Sequence, residues 1–181
     1  DTFSSRGLGD VYKRQTREEL DTAISNWIDN ETTAAETYGD INTWDVSKIT
    51  DFSNLFQNKT DFNSDISNWD VSNGTRFDFM FRDASSFNQD IGSWDVSNSN
   101  SFSLMFSGAT SFNQDISAWD IDEDDQLLDI FQGADLMQAN QGVFATPDSL
   151  NPYFKSYSIA LNPEDLLTAN FNFDYETKFS D

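Results

Sequence analysis

Residues 65–89 read D-I-S-N-W-D-V-S-N-G-T-R-F-D-F-M-F-R-D-A-S-S-F-N-Q, and residues 90–114 read D-I-G-S-W-D-V-S-N-S-N-S-F-S-L-M-F-S-G-A-T-S-F-N-Q. The two stretches agree at 15 of 25 positions, and the frame extends one unit further in each direction. Trp44, Trp69, Trp94 and Trp119 fall in one column, with Ile41, Ile66, Ile91 and Ile116 three residues ahead of them. Val46, Val71, Val96 and Ile121 form another column, and Phe56, Phe81, Phe106 and Phe131 a third. Phe52, Phe77 and Phe102 give way to Leu127, and Phe62, Phe87 and Phe112 to Met137. Ten of the 17 Phe and four of the five Trp lie in this frame, so the aromatics read as repeat core rather than as a scattered binding surface.

A 25-residue unit with so few apolar positions does not bury its own face, whereas stacked units share one continuous core. The expected fold is therefore a repeat solenoid of about four 25-residue coils. Within D-I-x-x-W-D-V-S, apolar and acidic residues alternate with the two-residue period of a half-buried strand, which places Trp69 and Val71 inside and Asp70 outside. The next segment, Phe77-Asp78-Phe79-Met80-Phe81, has apolar groups at i, i+3 and i+4 and predicts one or two helical turns. Each coil is thus expected to run strand, turn, short helix and return, with the strands stacked in parallel.

The runs I-N-T-W-D-V-S-K-I-T-D-F-S-N-L-F (41–56) and A-S-S-F-N-Q-D-I-G-S-W-D-V-S-N (84–98) resemble the repeats of BspA-type leucine-rich-repeat bacterial surface proteins, over roughly residues 16–146. The resemblance implies a right-handed, leucine-rich-repeat-like β-solenoid, displayed on or secreted from the cell, with adhesion as its role. The chain departs from that pattern where Ile49 is followed in phase by Gly74, Ser99 and Asp124, and where Asp122-Glu123-Asp124-Asp125 breaks the fourth coil. These departures predict thinner packing toward the C-terminal coils.

Terminal coils of a solenoid need covering. Thr16-Arg17-Glu18-Glu19 is a capping box, and Leu20, Ile24, Trp27 and Ile28 follow at helical spacing, so residues 16–37 are expected to form an N-terminal helical cap. The repeat domain then spans 38–146. Residues 147–181 are expected to close and trail from it, with Asn162-Pro163 as a helix start. Residues 1–15 carry Arg6, Lys13 and Arg14, lack a signal-peptide apolar core, and resemble a translated adapter scar; they are expected to be a non-native or unstructured leader.

Composition narrows function. The chain has 181 residues, no Cys, no His, and 32 acidic against 10 basic side chains, a net charge of −22. This excludes disulfides, thiolate nucleophiles and any triad built on imidazole. The charge opposes nucleic acid and anionic membranes, and no apolar run has the length of a membrane span. Of the acids 25 are Asp, a residue of turns and caps.

Many of these aspartates keep the repeat phase: Asp40, Asp65, Asp90 and Asp115, then Asp45, Asp70, Asp95 and Asp120. At a separation of about 5 Å, neighbours in such a column repel by roughly 0.8 kcal/mol in water and about 3 at an effective dielectric of 20. Three devices can offset this: hydrogen bonds to turn amides, salt screening in a saline habitat, or a bound divalent cation. Asp45, Asp70, Asp95, Asp120, Asp122 and Asp124 are accordingly the candidate ligands for Ca2+ as a cofactor. An EF-hand is excluded, because the sixth position from Asp120 is Asp125 rather than Gly and the twelfth is Phe131 rather than Glu. Asn63, Asn88 and Asn113 are expected to form a structural amide ladder. Three sequons, at Asn30, Asn58 and Asn73, matter only in a host that glycosylates them.

The expected function is a non-enzymatic cell-surface or secreted repeat protein that contacts an extracellular protein or glycan through repeated Asp, Ser and Asn groups. The alternatives are a structural spacer in a larger surface protein and a calcium-stabilised module. A polysaccharide-active enzyme is less favoured because the carboxylates form regular columns rather than a unique pair. Ice binding is disfavoured because no Thr column runs through all four coils.

Overall fold

The computed structural model describes residues 16–121 and 129–139; the expected leader, the C-terminal closing segment with its Asn162 helix start, and the acidic break at 122–125 lie outside them. The described residues contain helix α1 (Arg17–Asp29), helix α2 (Glu31–Tyr38), a 3-10 turn (Ile41–Thr43) and helix α3 (Asp135–Ala139). From Trp44 to Ile121 and again from Asp129 to Ala134 the described chain winds in 25-residue coils made of turns and extended links.

The expected β-solenoid is overturned. Among the described residues there is no strand, only an isolated parallel bridge between Asp51 and Arg76. The reason lies in where the amides go. Phe52, Asn54, Phe56 and Asn58 donate to the carbonyls of Arg76, Asp78, Met80 and Arg82 in the next coil at 2.8–2.9 Å. Phe77, Phe79, Phe81 and Asp83 repeat this onto Ser101, Ser103, Met105 and Ser107. The intervening amides turn back into their own coil, as Leu55 to Phe52 and Gln57 to Asn54. Every second peptide thus lies along the stack and its neighbour within the coil, which gives cross-coil pairing without a ladder.

The expected helical turns in F-x-x-x-F are also absent, because two residues per coil are left-handed. Asn54, Phe79, Leu104 and Asp129 have φ of 50–62°, and Asn58, Asp83, Gly108 and Gly133 follow four residues later at 58–72°. A right-handed helix does not pass through either position. In the W-D-V segment the alternation in and out is present, with Trp69 and Val71 buried and Asp70 exposed. Its coil-to-coil bonds run through side chains: the indole Nε1 of Trp69, Trp94 and Trp119 donates to the carbonyl of Ile41, Ile66 and Ile91.

The core is a set of aromatic columns. Phe52, Phe77 and Phe102 stack at 5.2 and 5.6 Å; Phe56, Phe81, Phe106 and Phe131 at 5.4–5.6 Å; Phe62, Phe87 and Phe112 at 5.9 Å, all within 8° of parallel. Trp44, Trp69, Trp94 and Trp119 are buried beside them. Each such pair contributes about 0.5–1.5 kcal/mol beyond its buried area. Gly74 shows how the thinner position is filled: a Cβ there would stand 2.5 Å from Phe77 Cζ, so the ring occupies the space that Ile49 fills in the first coil.

The cap forms by the expected box, Thr16 Oγ1 accepting from the Glu19 amide at 3.2 Å and Glu19 Oε2 from the Thr16 amide at 3.1 Å. It is two helices rather than one. Asn30 is extended (φ −160°), ends α1, and caps α2 by accepting from the Thr33 amide at 3.0 Å. Leu20, Ala23, Ile24 and Trp27 are buried, whereas Ile28 lies outside the apolar face at 37% exposure. Trp27 meets Trp44 edge-on at 5.7 Å.

The cap also closes the hydrogen-bonding pattern. In the first coil, Asp51 and Ser53 present carbonyls whose counterparts in the second coil accept amides from the coil before. Arg17 supplies the missing donors, with Nη1 to Asp51 O and Nη2 to Ser53 O, both at 2.7 Å. These carbonyls end columns of aligned peptides, so a cation meets the negative end of the summed dipoles.

Candidate interaction faces

The segment from Asp40 to Thr50 and its repeats carries the acid. Asp45, Asp70 and Asp95 each turn Oδ1 onto the serine two residues on. That oxygen accepts from the amides of Ser47, Ser72 and Ser97 at 3.1 Å and from their hydroxyls at 2.6–2.7 Å. Asp40, Asp65, Asp90 and Asp115 close matching turns, accepting from the amides of Asn42, Ser67, Gly92 and Ser117 at 2.9–3.0 Å. Aspartate suits this geometry because its short side chain reaches the amide two residues ahead.

At Asp95 and Asp115 the same bonds shift the carboxyl. The Ser97 hydroxyl, then its amide, hold the Asp95 carboxyl below the usual carboxylate range. The Ser117 amide, then its side chain, do the same for Asp115. Both carboxylates are favoured in the ionised form by donors, not by a neighbouring cation. The face is therefore a regular array of anions whose outward oxygens repeat from coil to coil.

Of the six candidate calcium ligands, Asp45 is half-buried and Asp70, Asp95 and Asp120 are exposed, while Asp122 and Asp124 lie outside the described residues. No group of three or more Asp or Glu converges on a metal-binding arrangement among the described residues. Asp45, Asp70 and Asp95 each spend one carboxylate oxygen on their own turn.

The segment from Asp51 to Lys59 and its repeats has different chemistry, and sequence reasoning passed over it. Arg76 lies 3.5 Å from Asp51 and 3.3 Å from Asp78, and Arg17 lies 3.7 Å from Asp51. Asp78 is buried, accepts from the Ser103 amide at 3.1 Å, and is bonded to the Ser101 hydroxyl. At Asp51 partial burial pushes the carboxyl upward, and the Ser53 hydroxyl and amide with the Arg76 and Arg17 charges outweigh it, so the group ends below its ordinary value. The line Arg17, Asp51, Arg76, Asp78, Ser101 runs from the cap into the third coil. Its signal in the sequence was the scarcity of bases: ten in the chain, two of them at Arg76 and Arg82.

On this same side Phe79 and Leu104, both part-exposed, occupy left-handed positions, and the Arg82 guanidinium stands 5.7 Å from the Phe79 ring centre. The expected amide ladder is present a few residues on. Asn63 Oδ1 accepts from the Asn88 amide, and Asn88 Oδ1 from the Asn113 amide, at 2.9 Å. It stops at Asn113, whose buried Oδ1 has no partner among the described residues, because the phase position Gln138 lies in α3.

Among the described residues no helix is long and apolar enough to cross a membrane. A family model described as "Mycoplasma protein of unknown function, DUF285" matches residues 22–144. No curated protein and no solved structure matches the chain.

Proposed function

The chain belongs to this family of unknown function, and on that premise we propose that it is a non-enzymatic cell-surface or secreted module that contacts a protein or glycan through its acidic face. The observation that carries the reading is the in-phase array of Asp carboxylates, of which Asp45, Asp70 and Asp95, and Asp40, Asp65, Asp90 and Asp115, are each oriented by the amide two residues on. A single exposed carboxylate gives little affinity in water. Repeated at coil spacing, the same contact gains through multivalency, since each further engagement is intramolecular. A partner with spaced cationic groups fits such an array. The resemblance to BspA-type repeats supports an extracellular setting and an adhesive role.

Catalysis has no support of this kind, because the regular carboxylates are already committed to turns. The test is a binding screen on extracellular-matrix proteins and glycans, with polylysine as a cationic probe, read against NaCl concentration. Binding to the cationic members is expected to weaken steeply as salt rises. Binding that ignores salt, or that survives replacement of Asp70 and Asp95 by Asn, would overturn the reading.

A further inference from the structure

Asn73-Gly74 is the only Asn-Gly pair in the chain, and the fold forces both residues. Gly74 is required because a Cβ would stand 2.5 Å from Phe77 Cζ and 2.9 Å from the Val71 carbonyl oxygen. Asn73 is required because its Nδ2 donates to the Ser47 carbonyl of the first coil at 2.7 Å, a bond that Asn98 repeats onto Ser72. Asn-Gly is also the dipeptide with the least hindrance to cyclisation, since no side chain shields the following amide. We propose that Asn73 is a site of spontaneous modification by water, gated by the pairing of the first two coils.

The reaction balances without any enzyme. Deprotonated Gly74 N attacks Asn73 Cγ, the Cγ–Nδ2 bond breaks, and the nitrogen leaves as ammonia after taking up a proton. The product is a five-membered succinimide. Water then opens either ring C–N bond, giving aspartate or isoaspartate at position 73.

In the closed stack both reacting groups are held away from this path. The nucleophile, Gly74 N, is buried and donates to Val71 O at 2.7 Å, and the leaving amide is fixed on Ser47 O. Reaction therefore requires the second coil to part locally from the first, an opening of the kind that also governs amide exchange. Once formed, the product opposes reclosure. The Nδ2 donor is gone, a carboxylate faces the Ser47 carbonyl, and isoaspartate adds a methylene to a turn already closed against Phe77. The site records coil opening irreversibly.

The third coil supplies an internal control. Asn98 makes the same cross-coil bond and Ser99 N the same turn bond, to Val96 O at 2.8 Å, but Ser99 carries the side chain that Gly74 lacks. The full chain is incubated at mildly alkaline pH in native buffer and in urea, and conversion at both asparagines is followed by peptide mapping. Asn73 is expected to convert at least about tenfold faster in urea than in native buffer, ahead of Asn98. Arg17→Gln, which loosens the cap without touching the turn, is expected to raise the native-buffer rate. Asn73→Asp is expected to melt at a lower temperature than the parent chain. Equal rates in native buffer and urea, Asn98 converting first, or an unchanged melting temperature for Asn73→Asp would each overturn the proposal.

Discussion

The two sides of each coil share one aromatic core and differ in almost everything outside it. From Asp40 to Thr50 the outward acids repeat without change through four coils, Asp40, Asp65, Asp90, Asp115 and Asp45, Asp70, Asp95, Asp120. From Asp51 to Lys59 the equivalent positions change with each coil: Asp51, Arg76, Ser101, and Asn54, Phe79, Leu104, Asp129. Repetition marks the side on which Asp45, Asp70 and Asp95 each close the same local turn and the same bonds recur between coils, as Asn73 to Ser47 and Asn98 to Ser72. Variation marks the side on which residues answer to the coil above, as Arg76 does to Asp51 and Ser101 to Asp78. The first arrangement suits a surface that offers one group many times. The second ties particular coils, and the cap, to one another.

The largest test addresses what the two sides have in common. Trp69→Ala removes a buried ring and the indole bond to Ile41 O, and is expected to cost about 3–5 kcal/mol in chemical denaturation. A near-neutral result would place the ring outside the core. Next is the tie between cap and coil. Arg17→Met leaves the carbonyls of Asp51 and Ser53 without their charged donor, and is expected to cost about 2–3 kcal/mol. A loss far below that would mean the cap is held by its apolar face alone.

A smaller effect of opposite sign should come from the variable side. Leu104 stands at φ 56°, where Cβ crowds the following carbonyl and Asn is better tolerated because its short polar side chain bonds locally, so Leu104→Asn is expected to stabilise by about 1 kcal/mol. Destabilisation would show that the side chain contributes more to packing than its backbone position costs. The smallest belongs to the acidic side. The carboxyls of Asp95 and Asp115 titrate lower when folded than when unfolded, so their contribution is present above about pH 4 and is lost as pH falls through the folded values. Ser97→Ala removes the hydroxyl that depresses Asp95 and should move the acid unfolding midpoint to higher pH; no movement would detach that bond from stability.

The sequence made the coil length, the buried columns, the cap's start and the turn-bonded aspartates legible, because each leaves a mark at fixed spacing or in residue type. Trp69 and Phe81 stand 25 residues from their equivalents, and Thr16 with Glu19 spells a capping box. What it concealed was backbone direction. Alternation around Trp69 looks the same in a strand and in an extended link, and F-x-x-x-F looks the same in a helix and in a turn with left-handed residues. Nothing in Phe79 or Leu104 announces positive φ, since neither residue favours it; the chain geometry imposes it at a position that Asn54 and Asp129 fill comfortably. The Arg17 to Ser101 line was hidden for a related reason: it joins residues of different type in successive coils, and a search for repetition passes over them.

The central claim is that coils are joined by every second peptide and by side chains, without strands. Scalar couplings across hydrogen bonds, measured by NMR on labelled protein, report donor and acceptor directly. The account predicts couplings from Phe52 N to the Arg76 carbonyl and from Phe77 N to the Ser101 carbonyl, with Leu55 N coupled back to Phe52 in its own coil. Couplings from Phe56 and Phe81 to carbonyls four residues earlier, or none between residues of successive coils, would contradict it.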